Sequence, residues 1–129
     1  MAEGRPFRVL LVEDEPVIRE LVRSMLGDGT VDVDCAATGA EGLKLAKSGE
    51  YDLILLDVVL PQMDGITVCR LIKADPSTAA VPLHMLTGKA KKTDVEAAEK
   101  AGANGYIHKP FRGSELIELV ERLKGARLA

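Results

Sequence analysis

The sequence predicts an α/β fold in which one parallel β-sheet is covered by helices on both faces. Short apolar runs of strand length alternate five times with amphipathic stretches of helical periodicity along the 129 residues. The third run, 53–56, is apolar at every position, which is typical of a strand that is covered on both sides. Because parallel strands need crossover connections, the five predicted helices fit between and after the strands.

The strands are predicted from the apolar runs and from the residues that end them. The first run, Phe7–Val12, stops abruptly at Glu13-Asp14-Glu15. The second alternates Val31, Val33 and Cys35 with acidic residues, which predicts a half-buried strand. In chain order the predicted strands are 7–12, 30–37, 53–56, 81–86 and 106–108.

The helices are predicted from apolar spacing and from end signals. Pro16 suits the first turn of the first helix, because its missing N–H costs nothing there. Thr38 is a candidate N-cap for a helix over Gly39–Ser48, and Pro76 closes the third helix. A lysine-rich loop precedes the fourth helix, for which Gly102 is a candidate C-cap. The residues predicted to face the core from the first and last helices are Val17, Ile18, Leu21, Val22, Met25, Leu26, Leu116, Ile117, Leu119, Val120 and Leu123.

Composition and charge exclude several classes of protein. The chain has 17 Lys and Arg against 20 Asp and Glu, a formal net charge of −3, which argues against direct binding of nucleic acid. The longest stretch without these charges, 76–88, is shorter than the roughly 18 residues of a membrane span, so no membrane insertion is expected. Cys35 and Cys69 are expected to be reduced core thiols of a cytoplasmic protein. We expect a single domain over residues 1–129, with a core of about 7–124.

Polar side chains end four of the five predicted strands. Glu13 and Asp14 follow the first strand, Asp57 the third, Thr87 the fourth and Lys109 the fifth. In an open α/β sheet, ligands bind beyond the carboxyl ends of the strands, where the strand order reverses. These five side chains are therefore expected to meet in one cleft.

Such a cleft has the groups needed to handle a phosphoryl group. Three crowded carboxylates repel one another, and a divalent cation such as Mg²⁺ relieves that repulsion with oxygen ligands. Lys109 adds a compact positive charge, and the Thr87 hydroxyl adds a hydrogen-bond donor. Asp57, alone at the end of the middle strand, is placed to act as a nucleophile and form an aspartyl phosphate.

Five motifs stand in order at these strand ends. They are Val12-Glu13-Asp14-Glu15, the segment 52–57, the segment 60–65, Thr87-Gly88 and the segment 102–111. Together they resemble the receiver domain of two-component response regulators, the group that includes single-domain chemotaxis regulators, over about residues 7–124. The resemblance implies a flavodoxin-like doubly wound fold with strand order 2-1-3-4-5.

The same resemblance implies roles for the cleft residues. Asp57 would accept a phosphoryl group from the phosphohistidine of a sensor histidine kinase or of a histidine phosphotransfer protein. Mg²⁺ would be held by Glu13, Asp14, Asp57 and the backbone carbonyl of Val59. The Lys109-Pro110 peptide would be cis, an isomer that proline permits.

A switch is also implied. Phosphate on Asp57 would attract the Thr87 hydroxyl, and the Tyr106 ring would occupy the space that Thr87 leaves. A downstream protein would then recognise the changed surface of helix four, strand five and helix five. The chain would be a phosphoacceptor signalling domain rather than an enzyme.

The resemblance also bears on the oligomeric state. Because Asn104-Gly105 stands where many DNA-binding receivers carry acidic residues that pair across a dimer, a monomer or weak dimer is expected.

Two other functions share parts of this pattern. A phosphatase with an aspartate nucleophile would need an acid two residues after Asp57, and that position holds Val59. A flavodoxin-like flavin carrier would place a phosphate after the first strand, where Glu13-Asp14-Glu15 would repel it. Val59 cannot hydrogen-bond water through its side chain, so slow self-dephosphorylation is expected. His84 and His108, both in strands, are expected to be packed side chains rather than ligands.

Overall fold

The computed structural model describes residues 5–27, 29–88 and 92–128. The strands are β1 (Phe7–Val12), β2 (Val31–Ala36), β3 (Leu53–Asp57), β4 (Leu83–Thr87) and β5 (Gly105–His108). The helices are α1 (Pro16–Leu26), α2 (Gly39–Ser48), α3 (Gly65–Ala74), α4 (Lys92–Lys100) and α5 (Gly113–Leu128). All strand pairs are parallel, in the order β2-β1-β3-β4-β5, which confirms the predicted fold class and strand order.

Both faces of the sheet are buried, because neighbouring residues of each strand point to opposite sides. One core layer lies between the sheet and helices α1 and α5, and the other between the sheet and helices α2, α3 and α4. The buried sheet residues of the first layer are Phe7, Val9, Leu11, Val31, Leu53, Leu55, Leu86 and Ile107. Those of the second layer are Leu10, Val12, Ala36, Ile54, Leu56, Leu83 and Met85. A strand that is buried on both faces is apolar along its length, as β3 is from Leu53 to Leu56 before it ends at Asp57.

The element boundaries follow the local signals closely. Thr38 accepts a hydrogen bond from the Glu41 N–H at 3.1 Å, so the predicted N-cap of α2 is confirmed. Strand β4 begins at Leu83 rather than at Val81, because Pro82 has no N–H to donate to the sheet. Residues 89–91 of the predicted lysine-rich loop lie outside the described part of the chain.

Some predicted core positions are wrong. On α1, Val22 and Leu26 are buried, but Val17 and Leu21 are 76% and 41% exposed. On α5, Ile117 is likewise exposed. Helical periodicity marks an apolar side of a helix, but a helix lying on a flat sheet buries only the row nearest to it. His108 is exposed too, on the edge strand β5, so the expectation that it is packed is wrong.

Both cysteines are free thiols, and only one is fully in the core. Cys69 on α3 is buried, whereas Cys35 on the edge strand β2 is half-buried. Burial raises the pKa of each thiol, which disfavours the reactive thiolate. Within the described ranges, no helix is long and apolar enough to cross a membrane.

A close backbone contact joins the end of β3 to the start of α3. A Cβ atom added to Gly65 would lie 1.9 Å from the carbonyl oxygen of Asp57. The Gly65 N–H also donates to the Val58 carbonyl at 2.9 Å. Glycine is therefore required at this position, and the contact holds the loop after Asp57 against the sheet.

Candidate active site

Three carboxylates meet at the carboxyl edge of the sheet. Glu13 and Asp14 follow β1 and Asp57 ends β3, and one carboxylate oxygen from each lies within 4.8 Å of the others. Among the residues that the structure describes, no other group of three acidic, histidine or cysteine side chains comes this close. The predicted meeting of these three residues from neighbouring strands is thus confirmed.

Lys109 connects two of the carboxylates. Its Nζ donates to Glu13 Oε1 at 2.5 Å and to Asp57 Oδ2 at 3.1 Å. Burial lowers the tendency of this amine to hold its proton, but Glu13 and Asp57 outweigh that effect and raise the pKa of Lys109. The amine is therefore charged at neutral pH. The Lys109-Pro110 peptide bond is cis, as the resemblance implied.

Glu13 is the most deeply buried member of the cluster. It has no exposed surface, and burial is the main reason why its pKa is raised to about 7. The nearby Asp57 charge raises the pKa further, whereas Lys109 and the Glu15 N–H, at 3.2 Å from Oε2, oppose the shift. A carboxyl group with such a pKa is partly protonated at neutral pH, and a cation at this site would favour its ionised form.

This pKa predicts a pH-dependent stability. A carboxyl whose pKa is higher in the folded state destabilises the fold as pH rises from about 4.5 towards 7 and above. In the wild-type protein we expect the free energy of unfolding to fall by roughly 1 to 3 kcal/mol between pH 5 and pH 8 because of Glu13. This fall should be absent in Glu13→Gln. Urea unfolding of both proteins, with divalent cations chelated, measures the difference. Equal pH dependence in the two proteins would show that Glu13 has an ordinary pKa.

Arg19 is a residue of this site that sequence reasoning did not find. From the first turn of α1 its Nη1 donates to the carbonyl oxygens of Glu13 and Asp14, at 2.9 and 3.0 Å. The side chain thereby fixes the loop that carries both acidic residues. An arginine on a helix surface has no sequence signal that distinguishes this role from ordinary solvation.

Both carboxylate oxygens of Asp57 accept a hydrogen bond. Oδ2 accepts the Lys109 bond, and Oδ1 accepts the Val59 N–H at 3.1 Å. The residue as a whole is only 4% exposed, whereas the Val59 side chain beside it is 75% exposed. The Asp57 carboxylate is thus oriented by a main-chain N–H and an ammonium group, beside an apolar side chain that faces solvent.

Thr87 and Tyr106 border one small cavity next to this cluster. Thr87 is buried at the end of β4, and Tyr106 on β5 is 40% exposed. The cavity between them has a volume of about 10 Å³ and is also lined by Val58 and by α4 residues. Since that volume holds about one water molecule, the Tyr106 ring cannot enter unless Thr87 or α4 moves.

The fold and the site together define a doubly wound α/β protein with an acidic cleft at its switch point. The response regulator receiver domain model matches residues 9–121. The chain belongs to this family, whose role is phosphorylation-activated signalling.

Individual relatives are consistent with membership of this family. The chain is 38% identical over 116 residues to the DNA-binding dual master transcriptional regulator RpaA of Synechocystis sp., covering 90% of this chain and 48% of the relative. It therefore spans about half the length of that protein. A putative response regulator from Chloroflexus aurantiacus has a similar structure, with TM-score 0.86, 32% identity and coverage of 94% of this chain and 99% of that one.

A third similar structure bears on the metal. It is the receiver domain of the sensor histidine kinase PA1611 from Pseudomonas aeruginosa, with 36% identity, TM-score 0.85 and coverage of 93% and 98% of the two chains. A magnesium ion is coordinated in the active-site cleft of that protein. In this chain the donor set of Glu13, Asp14 and Asp57 consists of hard oxygen ligands, which fits Mg²⁺.

Proposed function

We propose that Asp57 accepts a phosphoryl group from the phosphohistidine of a sensor histidine kinase or histidine phosphotransfer protein in the cytoplasm. The observation that carries the proposal is the placement of Asp57: nearly buried, bonded to the Lys109 ammonium, and within reach of two further carboxylates. Nucleophile, positive charge and cation ligands are the groups that phosphoryl transfer needs.

In the proposed reaction, one carboxylate oxygen of Asp57 attacks phosphorus. The new O–P bond forms as the P–N bond to the donor imidazole breaks, and the ring nitrogen leaves with the electron pair. Lys109 neutralises charge on the phosphoryl oxygens, since its amine already reaches Asp57 Oδ2. When bound by Glu13, Asp14, Asp57 and the Val59 carbonyl, Mg²⁺ supplies further positive charge.

Phosphorylation then changes a surface. The Thr87 hydroxyl bonds the phosphoryl group, the cavity beside Thr87 enlarges, and the exposed Tyr106 ring moves into it. The surface of α4, β5 and α5 is altered by this movement, and a downstream protein binds it. A ligand shifts such an equilibrium only by the difference between its contacts in the two states.

The direct test is exposure of the protein to acetyl phosphate with Mg²⁺, followed by intact mass measurement. We expect a gain of one phosphoryl group that requires the cation. Absence of the gain, in protein shown to be folded, would contradict the proposal.

The lifetime of the phosphorylated form is a second prediction. The Val59 side chain stands in solvent beside Asp57 but has no group to orient attacking water. We expect Val59→Asn to shorten the lifetime about fivefold, because one aligned hydrogen bond is worth about 1 kcal/mol and 1.4 kcal/mol corresponds to a factor of ten. The decay of the phosphorylated mass after removal of acetyl phosphate measures it. Val59→Ala is the matched control, and an equal acceleration in both variants would contradict the role of the amide.

The expectation that the chain does not bind nucleic acid is not confirmed, because its relatives include a protein described as DNA-binding. We propose that residues 9–121 act through protein contacts and form a monomer or weak dimer. Asn104, which supported this expectation, has a structural role: its Oδ1 accepts the Leu83 N–H, and its N–H donates to the Leu83 carbonyl, both at 2.8 Å. The phosphatase alternative stays disfavoured, since Val59 provides no acid.

A further inference from the structure

Arg19 of α1 holds the main chain on both sides of Asp14. Its Nη1 carries two hydrogens and donates to the carbonyl oxygens of Glu13 and Asp14, at 2.9 and 3.0 Å. The first carbonyl belongs to the peptide plane before the Asp14 Cα, and the second belongs to the plane after it. Because a peptide unit is planar, the two bonds together set the φ and ψ angles of Asp14.

Helix α1 begins without a capping side chain. Its N-cap residue, Glu15, makes no side-chain cap hydrogen bond, and Pro16 follows in the first turn. Arg19 lies one turn into the helix, where its own N–H donates to the Glu15 carbonyl at 3.1 Å. The guanidinium therefore reaches back from an ordered turn of α1 and holds the loop that a capping side chain would otherwise help to fix.

The two acidic residues of this loop differ in what directs their carboxylates. Glu13 is buried, and its carboxylate accepts hydrogen bonds from Lys109 Nζ and from the Glu15 N–H. Asp14 is exposed, and within the described part of the chain its hydrogen bond to Arg19 is made by the main chain. The direction of the Asp14 carboxylate is therefore set through its backbone.

We propose that Arg19 is a positioning residue for the cation. By setting the backbone angles of Asp14, it directs this carboxylate into the acidic cluster and so increases the affinity for Mg²⁺. This role rests on the proposed function, in which Glu13, Asp14 and Asp57 are cation ligands. Removing a group that orients a metal ligand typically lowers metal affinity about 10- to 100-fold.

The charge of Arg19 by itself predicts the opposite effect. Like charges repel, so a guanidinium beside the loop opposes the entry of a divalent cation. If Arg19 acted only through its charge, its removal would strengthen Mg²⁺ binding. If it positions Asp14, its removal weakens Mg²⁺ binding, so the sign of the change separates the two roles.

The test is a titration of wild-type and Arg19→Ala proteins with MgCl₂, followed through the amide shifts in NMR spectra. We expect Arg19→Ala to bind Mg²⁺ about tenfold more weakly. Arg23→Ala is the matched control, because Arg23 carries the same charge one turn further along α1 and lies 3.5 Å from Glu20 Oε1. Its affinity should equal that of the wild type.

Two results of this titration would overturn the proposal. One is unchanged or tighter Mg²⁺ binding in Arg19→Ala, and the other is an equal loss of affinity in Arg23→Ala. If Arg19→Ala does not give the spectrum of a folded protein, Arg19→Gln takes its place. Glutamine keeps part of the side-chain stem but is too short to reach both carbonyls, so the same tenfold loss is expected, and its absence would again overturn the proposal.

Phosphorylation provides the second arm. The rate of phosphoryl gain from acetyl phosphate, measured by intact mass over a range of MgCl₂ concentrations, should reach half its maximum at about tenfold more Mg²⁺ in Arg19→Ala. The maximum itself should stay close to the wild-type value. A lower maximum with unchanged half-saturation would overturn the positioning role. Wild-type protein that binds Mg²⁺ but gains no phosphoryl group would instead contradict the proposed function, so the two failures are distinguishable.

Discussion

Asp57→Asn is expected to abolish phosphoryl incorporation from acetyl phosphate. The substitution keeps the shape of the side chain but removes the carboxylate that attacks phosphorus, and loss of a nucleophile can lower a rate on the order of a millionfold. Asn cannot accept the Lys109 bond on its amide nitrogen, so it also weakens the placement of that lysine. Intact mass measurement with Mg²⁺ and acetyl phosphate gives the result directly.

Asp64→Asn is the matched control. Asp64 caps α3 by accepting the Thr67 N–H at 2.9 Å, is exposed, and lies outside the carboxylate cluster. Asn is as good an N-cap as Asp, so stability and phosphorylation should both be preserved. If the phosphoryl gain persisted in Asp57→Asn and disappeared in Asp64→Asn, the acceptor would be Asp64, and the proposed role of Asp57 would be wrong.

Gly65→Ala is expected to have the largest effect on stability. The new methyl group would overlap the Asp57 carbonyl, at 1.9 Å, and both the β3 end and the first turn of α3 would have to shift. We expect a loss of about 3 kcal/mol or more in the free energy of unfolding, measured with urea. Since the displaced backbone carries Asp57 and the Val59 N–H, phosphorylation should also slow.

Gly125→Ala separates this clash from the general effect of losing a glycine. Gly125 lies within α5, and a Cβ there meets no atom within 4 Å. Alanine favours the helix over glycine, so this variant should be stabilised by up to about 1 kcal/mol. Similar losses of stability in both variants would show that the contact at Gly65 is not the cause.

Most residues of the candidate site could be predicted from the positions at which the strands end. Acidic residues directly after an apolar run, as at Glu13-Asp14 and Asp57, mark where a strand stops, and parallel topology brings those ends to one edge. For that reason the convergence of Glu13, Asp14, Asp57 and Lys109 followed from sequence order and alternation. The same argument placed Thr87 and Tyr106 on adjacent strands.

Other features had no local signal. Val17 and Leu21 continue the apolar spacing of α1, yet they are exposed, because the helix rests on the sheet along one row of side chains. Arg19 looks like any surface arginine until its two bonds to the β1–α1 loop are seen. Within the described residues the buried Nδ1 of His84 has no hydrogen-bond partner, which no neighbouring residue in the chain indicates.

By itself, the sequence determined the fold class, the strand order through the family resemblance, and which side chains meet at the carboxyl edge. These properties depend on patterns within a strand or helix and on the geometry of parallel sheets. Three features were decided by the tertiary structure alone: the full burial that raises the pKa of Glu13, the contact that requires glycine at position 65, and the small cavity that Thr87 and Tyr106 line. Burial and free volume arise from elements far apart in the chain, so local pattern cannot supply them.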